Sequence, residues 1–542
     1  MIEINENLNI YFPLDMKPRV QQIEMLNMVK KSINSGKKYI LINAPTGSGK
    51  SYLSIMIANW YKQYVSAGKS VKFDIITNSK ILQEQYKRDY EFINDLRGQS
   101  NYKCIRHGTD CHTGKELNKA AKQVNCMACP YDMAKRNWVE GDVSLTNFHL
   151  FNSFVFYVKE TMIERSANVL IVDEAHDFES VFCDFISNKL SAKIFRNYGM
   201  EEINVVNYER KLSYIKTVGQ FINFVEKDFL PFITQLRENF ELILPDTGDK
   251  KIREIYAKYI TYIEGSEERF DSLLKDFAKN DANWALDITK DKVGNIELIL
   301  QPIWGKDYLH KLVYKYYDHV IFMSASILNR DIFSYINGLD LELTDYYELE
   351  STFEVKNRMI YYISCGKMNY ANKKETFDNQ VRTINKILKK YEGQKGIIHT
   401  TNYEISNWLK ESVKNKRLLF HETDDRDKIL EKHIKSKSPT VLVSPSMMSG
   451  LDLKDDLSRF QIILKMPYPN LGSNKIKSRK ESNSDSYTLK TCQDLIQSYG
   501  RSVRSEEDHA DTFILDSNFQ DLLRYSYRFL PNWFIEAIKT LK

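Results

Sequence analysis

One stretch near the amino terminus constrains the fold more than any other, because an apolar strand, a glycine-rich turn and a helix follow one another directly. The apolar strand-length run covers residues 38–43, and helix-type sequence begins at Tyr52. Between them lies Ala44-Pro45-Thr46-Gly47-Ser48-Gly49-Lys50-Ser51. This order brings backbone N–H groups to a helix N-terminus, where phosphate oxygens bind. It therefore predicts an α/β sheet with a phosphate-binding loop at the end of a strand.

The side chains of this loop have distinct expected tasks. Lys50 is expected to reach the β- and γ-phosphates of a nucleotide, and the Ser51 hydroxyl is expected to ligate Mg²⁺. Ala44 stands where the strict pattern has its first glycine. A glycine-rich turn of a dinucleotide-binding fold is the alternative, but the Gly-Lys-Ser ending favours the nucleotide-hydrolysing type. The predicted nucleotide-binding residues of the loop are Thr46, Gly47, Ser48, Gly49, Lys50 and Ser51.

A second run, Val169-Leu170-Ile171-Val172-Asp173-Glu174-Ala175-His176, places two carboxylates after a buried strand. Ligands of open α/β sheets bind at the carboxyl ends of the strands. Asp173 is therefore expected to hold Mg²⁺, and Glu174 is expected to polarise the attacking water. Asp173 as a helix N-cap is the structural alternative, and the presence of Lys50 argues against it.

Size and charge exclude some classes of protein. The chain has 542 residues, 42% of them hydrophobic, which is enough for three or four domains. Its formal charge of +5 neither requires nor excludes a nucleic-acid partner. No apolar run reaches the roughly 18 residues of a membrane span, and residues 1–6 do not resemble a signal peptide. We therefore expect a soluble cytoplasmic protein with no membrane partner.

The pattern along the chain predicts several units. Strand and helix signals alternate over residues 19–92, break into a cysteine-bearing insertion over 101–138, and return at 142–147 and 320–324. The segment from Asp177 to about Gln301 reads largely as helices with a buried apolar stripe, which Pro231 is expected to kink or divide. A second α/β unit follows Thr352. The Ser-, Asn- and Lys-rich segment 471–486 is predicted to be an exposed loop.

In their order, these and several smaller signals resemble one family, the iron–sulfur helicases of superfamily 2, of the XPD/DinG type. The resemblance extends over nearly the whole chain. The matching segments are residues 19–25 with Gln22, 77–80 with Gln85, 145–149, the Asp-Glu-Ala-His box at 173–176, Ser-Ala-Ser at 324–326, 449–452, Met-Pro-Tyr-Pro at 466–469, and Gln-Ser-Tyr-Gly-Arg-Ser-Val-Arg at 497–504.

The resemblance assigns further roles. It implies that Gln22 reads the adenine, and that Gly450 and Asp452 belong to the nucleotide site. It also implies that Gln497, Arg501 and Arg504 act from a second lobe. Three residues apart on one helical face, Arg501 and Arg504 can both point into the cleft between the lobes as arginine fingers. A surface pair bound to nearby glutamates is the alternative.

Four of the seven cysteines, Cys104, Cys111, Cys126 and Cys129, lie within 26 residues. This distribution suits a metal site better than a disulfide framework. Four thiolates are sufficient for a 4Fe–4S cluster and equally for zinc, so the spacing leaves both open. The family resemblance favours the 4Fe–4S cluster. Lysines and arginines surround these cysteines and form either a solvated face or a path for DNA phosphates: Lys103, Arg106, Lys115, Lys119, Lys122, Lys135 and Arg136.

The resemblance implies an α/β fold with two RecA-like parallel-sheet motor lobes, and with a cluster insertion and a helical arch insertion in the first lobe. The expected units are lobe one over 1–100, 139–178 and 304–345, the iron–sulfur insertion over 101–138, the arch over 179–303, and lobe two over 346–542. The implied activity is that of a monomeric ATP-dependent 5′ to 3′ DNA helicase acting on single-stranded DNA and on forked or 5′-overhang duplexes. An RNA- or ribonucleoprotein-remodelling ATPase and a non-unwinding, ATP-gated DNA clamp are the alternatives.

Overall fold

Buried apolar runs form two parallel sheets of seven strands each, which confirms the predicted α/β class with two RecA-like lobes. Every residue of the strands at Tyr39–Asn43, Phe73–Thr77 and Val169–Asp173 is buried, as expected for strands covered by helices on both faces. The computed structural model describes residues 18–66, 70–120, 128–200, 202–279, 281–291, 294–369, 371–445, 453, 455–503 and 506–541.

The strands of the first lobe come from three parts of the chain. In chain order the first ten strands are β1 (Tyr39–Asn43), β2 (Phe73–Thr77), β3 (Asn94–Asp95), β4 (Val143–Asn147), β5 (Val169–Asp173), β6 (Asn188–Ser191), β7 (Trp284–Lys290), β8 (Ile296–Pro302), β9 (His319–Ser324) and β10 (Thr344–Glu348). The first sheet has the order β10-β1-β9-β5-β2-β4-β3. Because β10 extends to Glu348, the connection between the lobes begins after Glu348 and not after residue 345.

The register of this sheet brings the two sequence motifs together. Strand β9 lies between β1 and β5, with Asn43 opposite Ser324 and Asp173 opposite Met323. The phosphate-binding loop follows β1, and the carboxylates end or follow β5. Both motifs therefore lie at the same carboxyl edge, one strand apart.

The second lobe repeats this architecture. Its strands are β11 (Ile360–Ile363), β12 (Gly396–His399), β13 (Leu418–Phe420), β14 (Val441–Ser444), β15 (Phe460–Ile463), β16 (Asp511–Ile514) and β17 (Ile538–Leu541). They are ordered β13-β14-β12-β15-β16-β11-β17 and all pair in parallel. The strands predicted near residues 396–399, 441–443 and 461–464 are confirmed.

The α-helices cover the faces of both sheets and build the insertions. In chain order they are α1 (Val20–Asn34), α2 (Lys50–Tyr64), α3 (Lys80–Asp89), α4 (Cys111–Ala120), α5 (Pro130–Glu140), α6 (Phe148–Tyr157), α7 (Lys159–Arg165), α8 (Phe178–Ile186), α9 (Ala192–Asn197), α10 (Glu202–Ser213), α11 (Val218–Phe224), α12 (Leu230–Ile243), α13 (Lys250–Phe277), α14 (Lys306–Leu312), α15 (Arg330–Asn337), α16 (Lys373–Lys390), α17 (Tyr403–Ser412), α18 (Arg426–Lys435), α19 (Asn474–Ser482), α20 (Ser484–Tyr499), α21 (Asn518–Ser526) and α22 (Asn532–Ile535). In the described part of the chain, no helix is both long and apolar enough to cross a membrane.

The arch, formed by α8 to α13, is largely helical as predicted, and its apolar stripe is core. Phe229 and Phe270 are buried and lie in the same continuous apolar cluster as Phe178 and Phe322 of the first lobe. Pro231 lies in the first turn of α12, directly after a π-helical turn at Val225–Phe229. A proline cannot donate the helical hydrogen bond, and the α-helix is interrupted here by the π-helical turn, although the backbone stays helical from Val218 to Ile243.

The prediction of a largely helical arch did not include its antiparallel sheet, which has the order β6-β8-β7. Strands β7 and β8 form a hairpin, with Trp284 opposite Pro302 and Lys290 opposite Ile296. The local signal was Gly294, whose φ of 93° is readily adopted only by glycine. This sheet forms the root of the arch.

The prediction of an exposed loop over residues 471–486 is wrong. Residues Asn474–Ser482 form α19, and α20 begins at Ser484. Asn474 and Arg479 contact the arch, and Lys475 is buried. A polar composition indicates a loop only where no partner surface is available. Here the arch supplies that surface.

A buried ion pair attaches α7 to strand β2 of the first sheet. Arg165 and Asp74 are both fully buried, and Arg165 Nε lies 2.8 Å from Asp74 Oδ1. The guanidinium also donates to the carbonyl oxygens of Gly141 (2.5 Å) and Phe73 (2.9 Å). Tyr317 donates to the other carboxylate oxygen at 2.6 Å. All the groups of this network have hydrogen-bonding partners, which is the condition for burying charge.

We expect Arg165→Met to lower the free energy of unfolding by about 3–5 kcal/mol, because it leaves the Asp74 carboxylate buried without its cation. Urea denaturation followed by circular dichroism measures the effect. Arg88→Met is the matched control, since Arg88 pairs with Asp89 at 2.9 Å but its side chain is 74% exposed. The control should change stability by less than about 1 kcal/mol. Equal urea midpoints for the two variants would contradict the assigned role of the network.

Candidate active site

The phosphate-binding loop adopts a conformation that requires its glycines. Gly47 and Gly49 have φ values of 81° and 84°, in the left-handed region where other residues are strained. Gly49 immediately precedes α2, so the first-turn N–H groups of that helix face the loop. Lys50 Nζ donates to the carbonyl oxygens of Ala44 (2.9 Å) and Pro45 (3.1 Å). The lysine is therefore held across the loop that it is predicted to serve.

Gln22 lies against the same loop. Its side-chain Nε2 donates to the Gly49 carbonyl oxygen at 3.2 Å, and its Oε1 accepts from the Arg19 backbone at 2.8 Å. The Arg19 guanidinium donates to the Gly47 carbonyl oxygen. A Cβ atom on Gly49 would lie 2.1 Å from Gln22 Nε2, so only glycine permits this contact. Gln22 is placed at the nucleotide loop, and its role in reading adenine stays a prediction.

The predicted magnesium ligands meet across the first sheet. Ser51 Oγ lies 3.4 Å from Asp173 Oδ2, and the same carboxylate oxygen accepts from Tyr86 OH at 2.9 Å. Burial and the neighbouring charge of Glu174 raise the pKa of Asp173 to about 6, against the opposing effect of Lys50. A buried carboxylate beside a serine hydroxyl is the oxygen donor set that Mg²⁺ prefers, so these residues fit the ion.

Glu174 is held for a different task from Asp173. Its backbone has a φ of 56°, which is strained for a non-glycine residue, and its Oε2 lies 3.4 Å from His176 Nδ1. Desolvation raises the pKa of Glu174, but His176, Lys50 and Arg501 outweigh it and lower that pKa to about 2. Glu174 therefore remains ionised at neutral pH, as a group that polarises water must.

His176 links the carboxylates to the neighbouring strand. Its Nδ1 lies 2.8 Å from Ser324 Oγ, and its Nε2 lies 3.3 Å from Asp177 Oδ2. Burial lowers the pKa of His176, but Asp177 and Glu174 outweigh this and raise it to about 9. The imidazole is therefore charged at neutral pH. It lies between Glu174 and the Ser-Ala-Ser segment that follows β9.

The second lobe approaches this site through the end of α20. Gln497 Nε2 donates to Ser326 Oγ at 2.8 Å, and Arg501 Nη2 donates to Gln497 Oε1 at 3.3 Å. The buried Arg501 also helps to lower the pKa of Glu174 across the seam between the lobes. A Cβ atom on Gly500 would lie 2.7 Å from Thr46 Oγ1. The arginine-bearing turn therefore lies directly against the phosphate-binding loop.

Two family models match the segments of the chain that supply these residues. The model described as "Type III restriction enzyme, res subunit" matches residues 15–203, and the model described as "Helicase C-terminal domain" matches residues 384–536. The first match contains the phosphate-binding loop and both carboxylates, and the second contains Gln497 and Arg501.

Similar proteins match over almost their whole length. The protein named "ATP-dependent DNA helicase YoaA" of Haemophilus influenzae is 22% identical, and the alignment covers 95% of this chain and 92% of that relative. Its namesake in Escherichia coli is 21% identical, with 92% and 91% covered. A solved structure titled "XPD_Helicase" is 15% identical and superimposes with a TM-score of 0.67, covering 97% of this chain and all of that one. The chain is similar over almost its whole length to helicases of the XPD-like family. It is accordingly a nucleotide-hydrolysing enzyme.

Three cysteines of the helicase lie around one pocket outside the nucleotide site. Cys104, Cys111 and Cys129 are buried and line one small pocket, and the sulfur atoms of Cys111 and Cys129 are 3.4 Å apart. A Cβ atom on Gly114 would lie 2.4 Å from Cys104 Sγ, so the thiol packs on the backbone of α4. Burial and the neighbouring Cys129 raise the pKa of Cys111 to about 12. Cys126 lies outside the described residues.

The thiols of this pocket have the donor chemistry of a thiolate-bound metal, but the ligand set is incomplete. Among the described residues, no three candidate ligands come close enough together to form a metal site. The predicted fourth ligand is Cys126, which is not among them. The assignment of a cluster to these cysteines is therefore a proposal.

The predicted basic face around the cysteines is partly neutralised. Lys115 pairs with Asp132 at 2.8 Å and lies over the Tyr131 ring, and Arg106 donates to Asn118 at 2.7 Å. Lys103, Arg106 and Arg136 are exposed and Lys135 is partly buried. The side chain of Lys119 and all of Lys122 lie outside the described residues.

Other predicted site residues also fall outside the described residues: Gly450, Asp452 and Arg504. Sequence reasoning missed Tyr86, which donates to Asp173 and contacts Ser54 Oγ at 3.1 Å. It also missed Asp177, which accepts from Asn78 at 2.5 Å and faces His176. The position of Asp177 next to the box was the available signal for its role. Nothing in the sequence near Tyr86 indicated that its hydroxyl reaches from helix α3 to the end of strand β5.

Proposed function

We propose that this helicase is an ATP-dependent 5′ to 3′ DNA helicase that moves along single-stranded DNA and unwinds duplexes. The observation that carries the proposal is the seam between the lobes. The contact of Gly500 with Thr46 brings Arg501 to the nucleotide site that contains Lys50 and Glu174. An ATPase whose two lobes close and open with each ATP needs catalytic groups from both lobes. The DNA substrate is proposed from the names of the relatives and from the family resemblance. The polarity is proposed from the family resemblance alone.

In the proposed reaction, each side chain has a separate task. Lys50 leaves the carbonyl oxygens of its own loop to bind the β- and γ-phosphates. Glu174 orients and polarises the attacking water, while His176 holds the Glu174 carboxylate in place. Arg501 neutralises the charge that develops on the transferred phosphoryl group, a contribution worth roughly 10³ to 10⁵ in turnover in other nucleotide hydrolases. Ser51 and Asp173 would hold Mg²⁺, which would supply charge neutralisation at the phosphates.

The lobes communicate through the turn that follows β9. Ser324 contacts His176, and Ser326 accepts hydrogen bonds from Gln497. Ser326 O also accepts from Gln493 at 2.9 Å. Loss of the γ-phosphate would remove the attraction on Arg501 and so weaken the seam at the nucleotide site. We infer that the lobes then separate and advance the DNA strand.

We further propose that Cys104, Cys111 and Cys129, with Cys126, bind a 4Fe–4S cluster, with zinc as the alternative. The support is that three buried cysteines line one pocket and that two of their sulfur atoms, those of Cys111 and Cys129, are 3.4 Å apart. Cys104, Cys111, Cys126 and Cys129 would hold the cluster, which would supply rigidity to the insertion. The exposed Lys103, Arg106 and Arg136 would then border the path of the DNA backbone.

The partners we propose are single-stranded DNA and forked or 5′-overhang duplexes, bound by a monomer. A clamp that only closes on DNA is the less supported alternative. A static clamp needs neither an ionised Glu174 nor an arginine aimed at it.

We expect the protein to unwind a 5′-overhang duplex with ATP and to leave a 3′-overhang duplex intact. Lys50→Ala and Glu174→Gln should each lower DNA-stimulated ATP turnover by roughly 10²- to 10⁴-fold, because each removes a group that acts on the reacting phosphate or water. Single-strand binding by both variants should stay close to that of the unaltered protein. Unwinding from the 3′ overhang alone would contradict the polarity. Stimulation by RNA alone would favour the remodelling ATPase, and normal turnover in either variant would overturn the assigned roles.

Anaerobically purified protein should contain about four iron atoms per chain and absorb in the visible range. Cys104→Ser should lose the iron and the absorption and should unwind more slowly, while its ATP turnover is less affected because the ATP site lies elsewhere. Stoichiometric zinc without visible absorption would identify the alternative metal. A cluster-free variant that unwinds at the unaltered rate would contradict a role for the cluster in unwinding.

A further inference from the structure

Helices α19 and α20 of the second lobe form one hairpin that contacts the first lobe and its insertion at two distant places. Residue Asn483 joins them and caps α20 by accepting from the Ser486 backbone at 3.0 Å. The carboxyl end of α20 reaches the nucleotide site, as described above. The other helix, α19, lies on the root of the arch.

The amino end of α19 is held by a carboxylate of the arch. Asp287 on β7 is buried and accepts from Ser473 Oγ at 2.6 Å and from the Asn474 backbone N–H at 2.5 Å. The Asn474 side chain also donates to the Leu286 carbonyl oxygen at 2.7 Å. Gln301 from β8 holds the same carboxylate at 2.7 Å. A carboxylate at the first N–H groups of a helix is a favoured electrostatic arrangement.

The carboxyl half of α19 is held by a half-buried arginine. Arg479 Nη2 donates to Glu179 Oε1 at 2.6 Å, and its Nε donates to the Ile303 carbonyl oxygen at 2.5 Å. Its guanidinium lies over the Trp304 ring, 4.7 Å from the ring centre. Glu179 Oε1 is also bound by the Gly305 backbone N–H at 2.7 Å. Planar stacking and a fork of donors are features that lysine cannot reproduce.

These acceptors all belong to the segment that starts and closes the arch. Glu179 lies in the first turn of α8, directly after the carboxylate box, and Ile303 follows β8. The arch is an insertion in the first lobe. Its covalent connections therefore do not make it move with the second lobe. The α19 contacts provide that link without a covalent connection.

The other helix of the hairpin contacts Asp177, the residue that follows the box. Lys490 Nζ lies 3.8 Å from Asp177 Oδ1 and 2.9 Å from Asp494 Oδ1. Asp177 in turn faces His176, which lies beside Glu174. One hairpin therefore connects the groups around the catalytic carboxylate to the root of the arch.

We propose that the hairpin α19–α20 transmits the opening and closing of the lobes to the arch, with Arg479 and Asp287 as the positioning residues of that coupling. The inference rests on the proposed helicase function. When the second lobe moves away from the nucleotide site, α19 carries the arch root with it. Helix α13 of the arch packs against α4 of the cysteine-bearing insertion, so the displacement reaches the face proposed to border the DNA.

The test measures base pairs unwound per ATP hydrolysed, for the full chain, with Arg479→Met. We expect unwinding to fall by roughly tenfold or more, while single-strand-stimulated ATP turnover stays within about twofold, because the nucleotide groups are untouched. Arg479→Lys keeps the charge at Glu179 but loses the fork and the stacking, so an intermediate value is expected. Lys477→Met, on the exposed side of the same helix, is the matched control and should equal the unaltered protein.

A ratio of unwinding to hydrolysis in Arg479→Met equal to that of the unaltered protein would overturn the inference, whether both rates stay normal or both fall together. If Arg479→Met does not fold by circular dichroism, Asp287→Asn replaces it, with the same expected fall in the ratio. Absence of unwinding by the unaltered protein would instead overturn the proposed function.

Discussion

The close approach of Gly500 to Thr46 is the contact on which the rest of the site depends. A side chain at residue 500 would lie within 2.7 Å of Thr46 Oγ1, so the two lobes meet at this distance only because glycine occupies that position. The approach fixes the next residue, Arg501, near Glu174. It also sets Gln497 against Ser326. The nucleotide site is therefore a property of the interface between the lobes and not of either sheet alone.

Within that interface, two adjacent carboxylates have opposite protonation behaviour. Burial and the charge of Glu174 raise the pKa of Asp173, which makes it a place where a cation is favoured. His176, Lys50 and Arg501 lower the pKa of Glu174, which keeps it available to polarise water. Neighbours in sequence can differ in this way because one ends a buried strand and the other, with its positive φ, turns out of it. This is the separation of roles expected for paired catalytic carboxylates.

Periodicity and composition sufficed for the elements that specify their own structure. The buried strands β1, β5 and β9 were predictable because long aliphatic runs leave no other stable arrangement. Contacts between distant segments were not: Asp287 binds the first backbone N–H of α19 and Glu179 binds its Arg479 side chain, and both carboxylates lie more than 180 residues away. The same reason explains why Tyr86 was missed. The local sequence does not identify the distant partner against which a polar segment folds as a helix.

The most direct test of a site shared between the lobes is single-turnover ATP hydrolysis by Arg501→Ala with bound single-stranded DNA. A shared site predicts that ATP binding is retained while the hydrolysis step slows by roughly 10³-fold or more, since the developing phosphoryl charge loses its cation. Arg501→Lys should recover only part of the rate, because a lysine cannot supply the planar fork. Hydrolysis by Arg501→Ala at the unaltered rate would contradict the account, because the first lobe would then be sufficient for catalysis.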